Sequence, residues 1–160
     1  MVILLMGVSG VGKTTVGEAL AQSLQWRFVD ADDFHSPENR AKMHAGIPLT
    51  DADRRPWLEA LHNAIAGWLA AAENIVLACS ALKASYRELL LVSDQVKLVY
   101  LHATFALIAG RLAARAGHYM NPALLKSQFD TLEEPAAALA VDVSGPVEQT
   151  VRKIREGVGL

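Results

Sequence analysis

Five short runs of almost continuous apolar residues punctuate the chain: "VILLM" at 2–6, "WRFVD" at 26–30, "NIVLACS" at 74–80, "VKLVYL" at 96–101 and "LAVDVS" at 139–144. They lack the strict alternation of a half-buried strand, so each reads as a strand covered on both faces. Between them, apolar residues recur at helical spacing, as at Val16, Leu20 and Leu24 in the first such stretch. Helices are therefore expected over 12–24, 51–72, 83–92, 104–116, 122–133 and 146–157. Thr50 and Asp53 have the spacing of a capping box and mark the start of the long second helix, with Asp in place of the usual Glu. Strand and helix in alternation predict an α/β fold, a five-stranded parallel sheet flanked by helices on both faces. No internal repeat, low-complexity tract or linker interrupts the pattern, and the 160 residues read as one domain.

The first strand runs directly into "GVSGVGKTT", Gly7 to Thr15. Gly7, four residues, then Gly12, Lys13 and Thr14 is the spacing of a phosphate-cradling loop, here in its required setting between a strand and a helix. Gly7, Val8, Ser9, Gly10, Val11, Gly12 and Thr15 offer backbone N–H groups to an anion, and the helix N-terminus adds its positive end. Lys13 is expected to reach the β- and γ-phosphates, and the Thr14 hydroxyl to help hold Mg²⁺. The serine-nucleophile elbow G-x-S-x-G does not fit, because Val11 stands at its second glycine. The loop is expected to bind a nucleoside triphosphate, which makes this a P-loop domain.

Composition narrows the partners. Hydrophobic residues form 52% of the chain and the net charge is −2, which argues against disorder and against a nucleic-acid groove. No apolar run reaches membrane-spanning length, and the first is too short for a signal peptide. The single cysteine, Cys79, lies within a strand-like run and reads as a buried, reduced thiol. A cytoplasmic protein without a membrane or nucleic-acid partner is the expectation. The five histidines show no zinc-ligand spacing.

In a sheet of this kind ligands bind beyond the carboxyl ends of the strands. The second strand ends in "VDADDFH", where Asp30, Asp32 and Asp33 crowd together. Phosphoryl transfer needs one carboxylate near the metal and another facing the attacking hydroxyl, and Asp30 and Asp32 have a spacing that suits both tasks. Asp33 is the one expected to serve only as a helix cap. The third strand ends in "ACSALK" without an acidic residue, which leaves the metal to Thr14, water and the aspartate pair. Ser80 is a candidate cap of the next helix, whose free N–H groups would suit an anionic or polyhydroxy substrate. Lys83 fits a surface charge and a substrate contact equally well. Arg111 and Arg115, four apart, are expected on one helical face. Such a pair is ordinarily a solvated stripe, but here it precedes a short interhelical loop, suggesting a lid over about 111–125.

Taken together, "GVSGVGKTT", "DADDFHSPENRAKMHAGIPLTDADRRPWL", "ACSALKASYRELL", "RLAARAGHYMNPALLKSQFDTLEEP" and the late "VD" resemble the gluconate kinases over nearly the whole chain. The resemblance implies a P-loop kinase fold similar to shikimate and nucleoside monophosphate kinases. It also implies transfer of the ATP γ-phosphate, with Mg²⁺, to the 6-hydroxyl of D-gluconate, commonly by a homodimer. On that basis Lys13, Asp32 and Arg115 would be catalytic, Arg111 would join the nucleotide site, and Thr14 and Asp30 would hold the metal. Asp32, Arg54, Ser80, Lys83 and His118 would meet the sugar acid, with Arg54 gripping its carboxylate through the guanidinium fork and Tyr119 nearby. Adenine contacts would lie in the lid helix and after "VDVS". The family's aspartate loop commonly reads D-G-D-D, whereas this chain has Ala31 at the glycine, which would be strained if the position needed positive φ. A nucleotide switch would require N-K-x-D, or D-x-x-G near the middle of the sequence, and the only such match, Asp142–Gly145, comes too late. A kinase of shikimate or of a nucleotide is the nearer rival.

Overall fold

A computed structural model describes residues 1–115 and 122–160. The expected α/β architecture is present. Strands β1 (Val2–Met6), β2 (Arg27–Asp30), β3 (Ile75–Ala78), β4 (Val96–His102) and β5 (Leu139–Asp142) form one sheet in the order β2-β3-β1-β4-β5. Every neighbouring pair is parallel, with Leu4 of β1 opposite Leu77 of β3 on one side and Leu98 of β4 on the other. The helices are α1 (Lys13–Leu24), α2 (Pro37–His44), α3 (Asp51–Ala70), α4 (Ala84–Leu90), α5 (Phe105–Ala114), α6 (Pro122–Thr131) and α7 (Val147–Val158).

β1 explains why its run is apolar throughout. All five residues are buried, with Ile3 and Leu5 in one core and Val2, Leu4 and Met6 in the other. The first core takes Val16 and Leu20 of α1, Ile108 of α5, Leu125 of α6 and Ile154 of α7. The second takes Trp57, Leu61 and Ile65 of α3 with Tyr86 and Leu90 of α4. The chain thus leaves β1 toward one face of the sheet and β3 toward the other. The crevice where those paths diverge lies at the carboxyl ends of β1 and β3, the place where ligands enter open parallel sheets.

The capping box at the head of α3 is formed as expected. Thr50 Oγ1 accepts from the Asp53 N–H and Asp53 Oδ2 accepts from the Thr50 N–H, each at 3.0 Å. Two elements escape the periodicity argument, a 3-10 turn at Ala31–Phe34 and α2. Ser36 and Pro37 announce α2 by local chemistry, since Ser36 caps it and Pro37 occupies its first turn. α5 ends at Ala114, earlier than its periodicity suggests, and Arg115 follows with extended backbone at φ −76° and ψ 115°.

Candidate active site

The phosphate-loop sequence joins β1 to α1. Gly12 caps α1 in a left-handed conformation at φ 101°, which a glycine adopts without a Cβ penalty. Gly7 is required for space as well, because a Cβ there would stand 2.6 Å from the Leu101 carbonyl oxygen. Its N–H donates to the Ser80 carbonyl at 3.3 Å, tying the loop to the end of β3. Lys13 folds back over the loop, its Nζ donating to the Gly7 and Val8 carbonyls at 2.9 and 3.0 Å. Burial pulls the Lys13 pKa below the ordinary lysine value, opposed by Cys79, Asp32 and Asp30. Gln128 reaches the same loop from α6. Its Oε1 accepts from the Ser9 N–H at 2.6 Å, while its Nε2 donates to Ser9 Oγ at 2.8 Å.

A cleft of about 180 Å³ opens above this loop, lined by Ser9, Gly10, Gly12, Lys13, Thr14, Thr15, Asp30, Asp32, Ala78, Cys79, Ser80 and Arg115. Expected nucleotide, metal and acceptor residues therefore share one cavity. Asp30 caps the 3-10 turn, its Oδ1 accepting from the Asp32 N–H at 2.9 Å, so the capping role expected of Asp33 falls to Asp30. The Asp32 pKa is raised by loss of surrounding water and then by Asp30, against the pull of Lys13. Asp32 is exposed as a residue, so solvent tempers that shift. Ala31 lies inside the 3-10 turn, fully buried and not at positive φ, so alanine carries no left-handed strain there.

Mg²⁺ suits this donor set. Among the described residues no cluster of three or more His, Cys, Asp or Glu could hold a metal by itself. The Thr14 hydroxyl and one or two carboxylates match an ion that keeps several waters and takes its remaining ligands from substrate phosphates.

Other expected residues take different places. Arg111 and Arg115 do not share a helical face, because α5 stops between them. Arg111 donates to the Val143 carbonyl at 2.7 Å, whereas Arg115 lines the cleft. Ser80 does not cap α4. Lys83 holds the cap position without a side-chain bond, and Glu133 Oε2 accepts from the Ala84 N–H at 2.9 Å. Lys83 itself is paired with Asp51 at 3.0 Å, and Tyr86 OH donates to the same carboxylate. Arg54 lies outside the cleft lining, one step along α3. Its NH1 donates to Tyr86 OH at 3.3 Å, with its guanidinium 5.7 Å from the Tyr86 ring centroid. Cys79 is buried and its thiol pKa is pushed up to about 12, chiefly by desolvation, which suits a structural thiol. His118 and Tyr119 fall outside the described residues, as does the middle of the expected lid.

The shikimate kinase family matches residues 9–154. A probable gluconokinase of Mus musculus is 48% identical over 154 residues, covering 85% of this chain and 84% of that protein. The thermosensitive gluconokinase of Escherichia coli (strain K12) is 41% identical over 160 residues, covering 97% and 86%. The chain belongs to the gluconokinases within the shikimate kinase family. The crystal structure of a gluconokinase from Sinorhizobium meliloti 1021 superposes with a TM-score of 0.88 at 44% identity, over 98% of this chain and 90% of that one. A shikimate kinase from Bacteroides thetaiotaomicron, with a TM-score of 0.72 at 21% identity, shares the fold.

Proposed function

We propose that this protein transfers the γ-phosphoryl group of ATP to the 6-hydroxyl of D-gluconate, yielding 6-phospho-D-gluconate and ADP for sugar-acid catabolism. The observation that carries this reading is the cleft lining, in which Lys13, Thr14, Asp30, Asp32 and Arg115 converge at the carboxyl ends of β1 and β3. The gluconokinase relatives supply the acceptor.

In this reading the N–H groups from Ser9 to Thr15 cradle the phosphates, and Lys13 leaves its carbonyl partners to meet the β- and γ-phosphates. Thr14 and Asp30 would hold Mg²⁺, which would offset the charge on the phosphates. Asp32 accepts a hydrogen bond from the 6-hydroxyl and takes its proton as that oxygen bonds to the γ-phosphorus. The bond from phosphorus to the bridging oxygen breaks, and ADP leaves with the electron pair. Its raised pKa brings Asp32 closer to the range in which a carboxylate is an effective proton acceptor. Arg115 meets charge on the transferring group, Arg111 secures the nucleotide side, and a lid over about 111–125, carrying His118, closes on the site. Arg54 anchors the gluconate carboxylate, and Ser80 and Lys83 contact its hydroxyls.

The same reading makes 1–160 one kinase domain acting as a cytoplasmic homodimer on a small-molecule substrate, without a nucleic-acid or membrane partner. The net charge is −2, and no helix among the described residues is long and apolar enough to cross a membrane. Coupled measurement of ATP consumption with gluconate, other aldonates, shikimate and nucleoside monophosphates tests the acceptor. Gluconate is expected to be used with the highest kcat/KM. Faster turnover of shikimate or a nucleotide would overturn the assignment.

A further inference from the structure

Asp32 and Arg54 stand on different elements, the 3-10 turn after β2 and the first turns of α3, separated in sequence by α2 and a loop. Four side-chain links sew those elements together. Trp57 Nε1 donates to the carbonyl of Ala31, the residue between the two cleft aspartates, at 2.7 Å. The His35 ring stacks on Trp57 with centroids 4.3 Å apart and planes 12° from parallel. Asn39 Nδ2 donates to the Asp53 carbonyl at 2.8 Å and lies 3.3 Å from His35 Nδ1, which must then accept. His35, Asn39 and Trp57 are all under 9% exposed, and Trp57 belongs to the core beneath α3.

Polar groups buried in such a setting are costly unless every partner is in place, so a satisfied network admits few geometries. Trp57 follows Arg54 by three residues and so neighbours it along α3. The network touches both candidate ends of the acceptor site without entering the cleft: Ala31 is flanked by Asp30 and Asp32, and Asp53 precedes Arg54.

We propose that Trp57 and Asn39 are positioning residues that set the separation between Asp32 and Arg54, and thereby select the carbon-chain length of the sugar acid. This rests on the acceptor reading above, in which Arg54 takes the carboxylate and Asp32 the far hydroxyl. In that reading a six-carbon aldonate meets both groups, and a fixed separation between them leaves a five-carbon aldonate, one carbon shorter, in contact with only one. A site built to hydrogen-bond a substrate hydroxyl discriminates against the analogue that cannot present it there, and a loosened frame forfeits much of that.

The test uses Trp57→Phe, which keeps an aromatic ring beside His35 but removes the donor to Ala31, and independently Asn39→Leu, which removes the donor to Asp53. For each folded variant, kcat/KM is measured with four-, five- and six-carbon aldonates at saturating ATP, together with KM for ATP. The expected result is that the ratio of six- to five-carbon kcat/KM narrows by about tenfold, while KM for ATP stays within about twofold. If rates with all acceptors fall by one common factor, or the ratio is unchanged in both variants, Trp57 and Asn39 are structural only and the proposal is overturned. Wild-type protein that shows no preference for chain length also overturns it, while leaving gluconate phosphorylation standing. Wild-type protein that phosphorylates no aldonate overturns the acceptor reading and the proposal with it.

Discussion

Gln128 of α6 clasps Ser9 of the phosphate loop through both ends of its amide, across 119 residues of sequence. The Ser9 N–H belongs to the row of donors that would face a nucleotide, so the Gln128 oxygen and a phosphate oxygen compete for it. Gln128→Ala is therefore expected to lower KM for ATP by about 2- to 12-fold, the equivalent of one net hydrogen bond of about 0.5–1.5 kcal/mol. Steady-state kinetics with varied ATP read this directly. A raised KM would mean that Gln128 presents Ser9 to the nucleotide instead of competing with it.

Lys13 satisfies its ammonium with two loop carbonyls, so its charge is already housed at the site. Lys13→Ala should preserve the circular dichroism spectrum and melting behaviour while removing nearly all phosphotransfer. A folded variant that keeps more than about a tenth of wild-type turnover would contradict the role given to this side chain.

Arg54 is held by Tyr86 and stands outside the phosphate cleft, so its loss should spare the nucleotide. Arg54→Ala is expected to weaken gluconate by about 1.5–3 kcal/mol, the range for a charge-assisted hydrogen bond, with KM for ATP nearly unchanged. Glucitol, which lacks the carboxylate, is the control. An equal effect on both acceptors, or none, would exclude Arg54 as the carboxylate anchor.

His35 gives a pH dependence of stability. Burial lowers its pKa below the ordinary value of 6.5, and the charges of Arg54 and Arg40 push in the same direction. Above that value the folded and unfolded imidazoles are both neutral and the contribution is complete. As pH falls through it, the unfolded protein takes up a proton that the native state resists, so stability drops until the folded pKa is passed. The wild-type melting temperature should therefore fall more between pH 7 and pH 5 than that of His35→Phe. Parallel curves for the two proteins would show that His35 does not titrate differently on folding.

The apolar runs, the phosphate loop and the aspartates were legible along the sequence because their physics is local. An all-apolar strand inside the sheet is covered on both faces, as β1 and β3 are, whereas β2 and β5 at the sheet edges stay partly exposed against expectation. A G-x-x-x-x-G-K-T turn needs only its own backbone, and Thr50 caps α3 through a residue three positions away. The same locality explains the errors. Four-residue spacing puts Arg111 and Arg115 on one face only while the helix continues, and α5 ends at Ala114, leaving Arg111 on Val143 and Arg115 in the cleft. Ser80 has the composition of a cap, but its carbonyl receives Gly7 and α4 begins later, where Glu133, two residues beyond α6, supplies the acceptor. Trp57 on Ala31, Tyr86 on Asp51 and Gln128 on Ser9 join residues 26, 35 and 119 positions apart. No periodicity or motif encodes such a pair. Each exists because sheet order and helix packing bring distant donors and acceptors together, and Trp57 Nε1, buried under α3, has no water to bond instead.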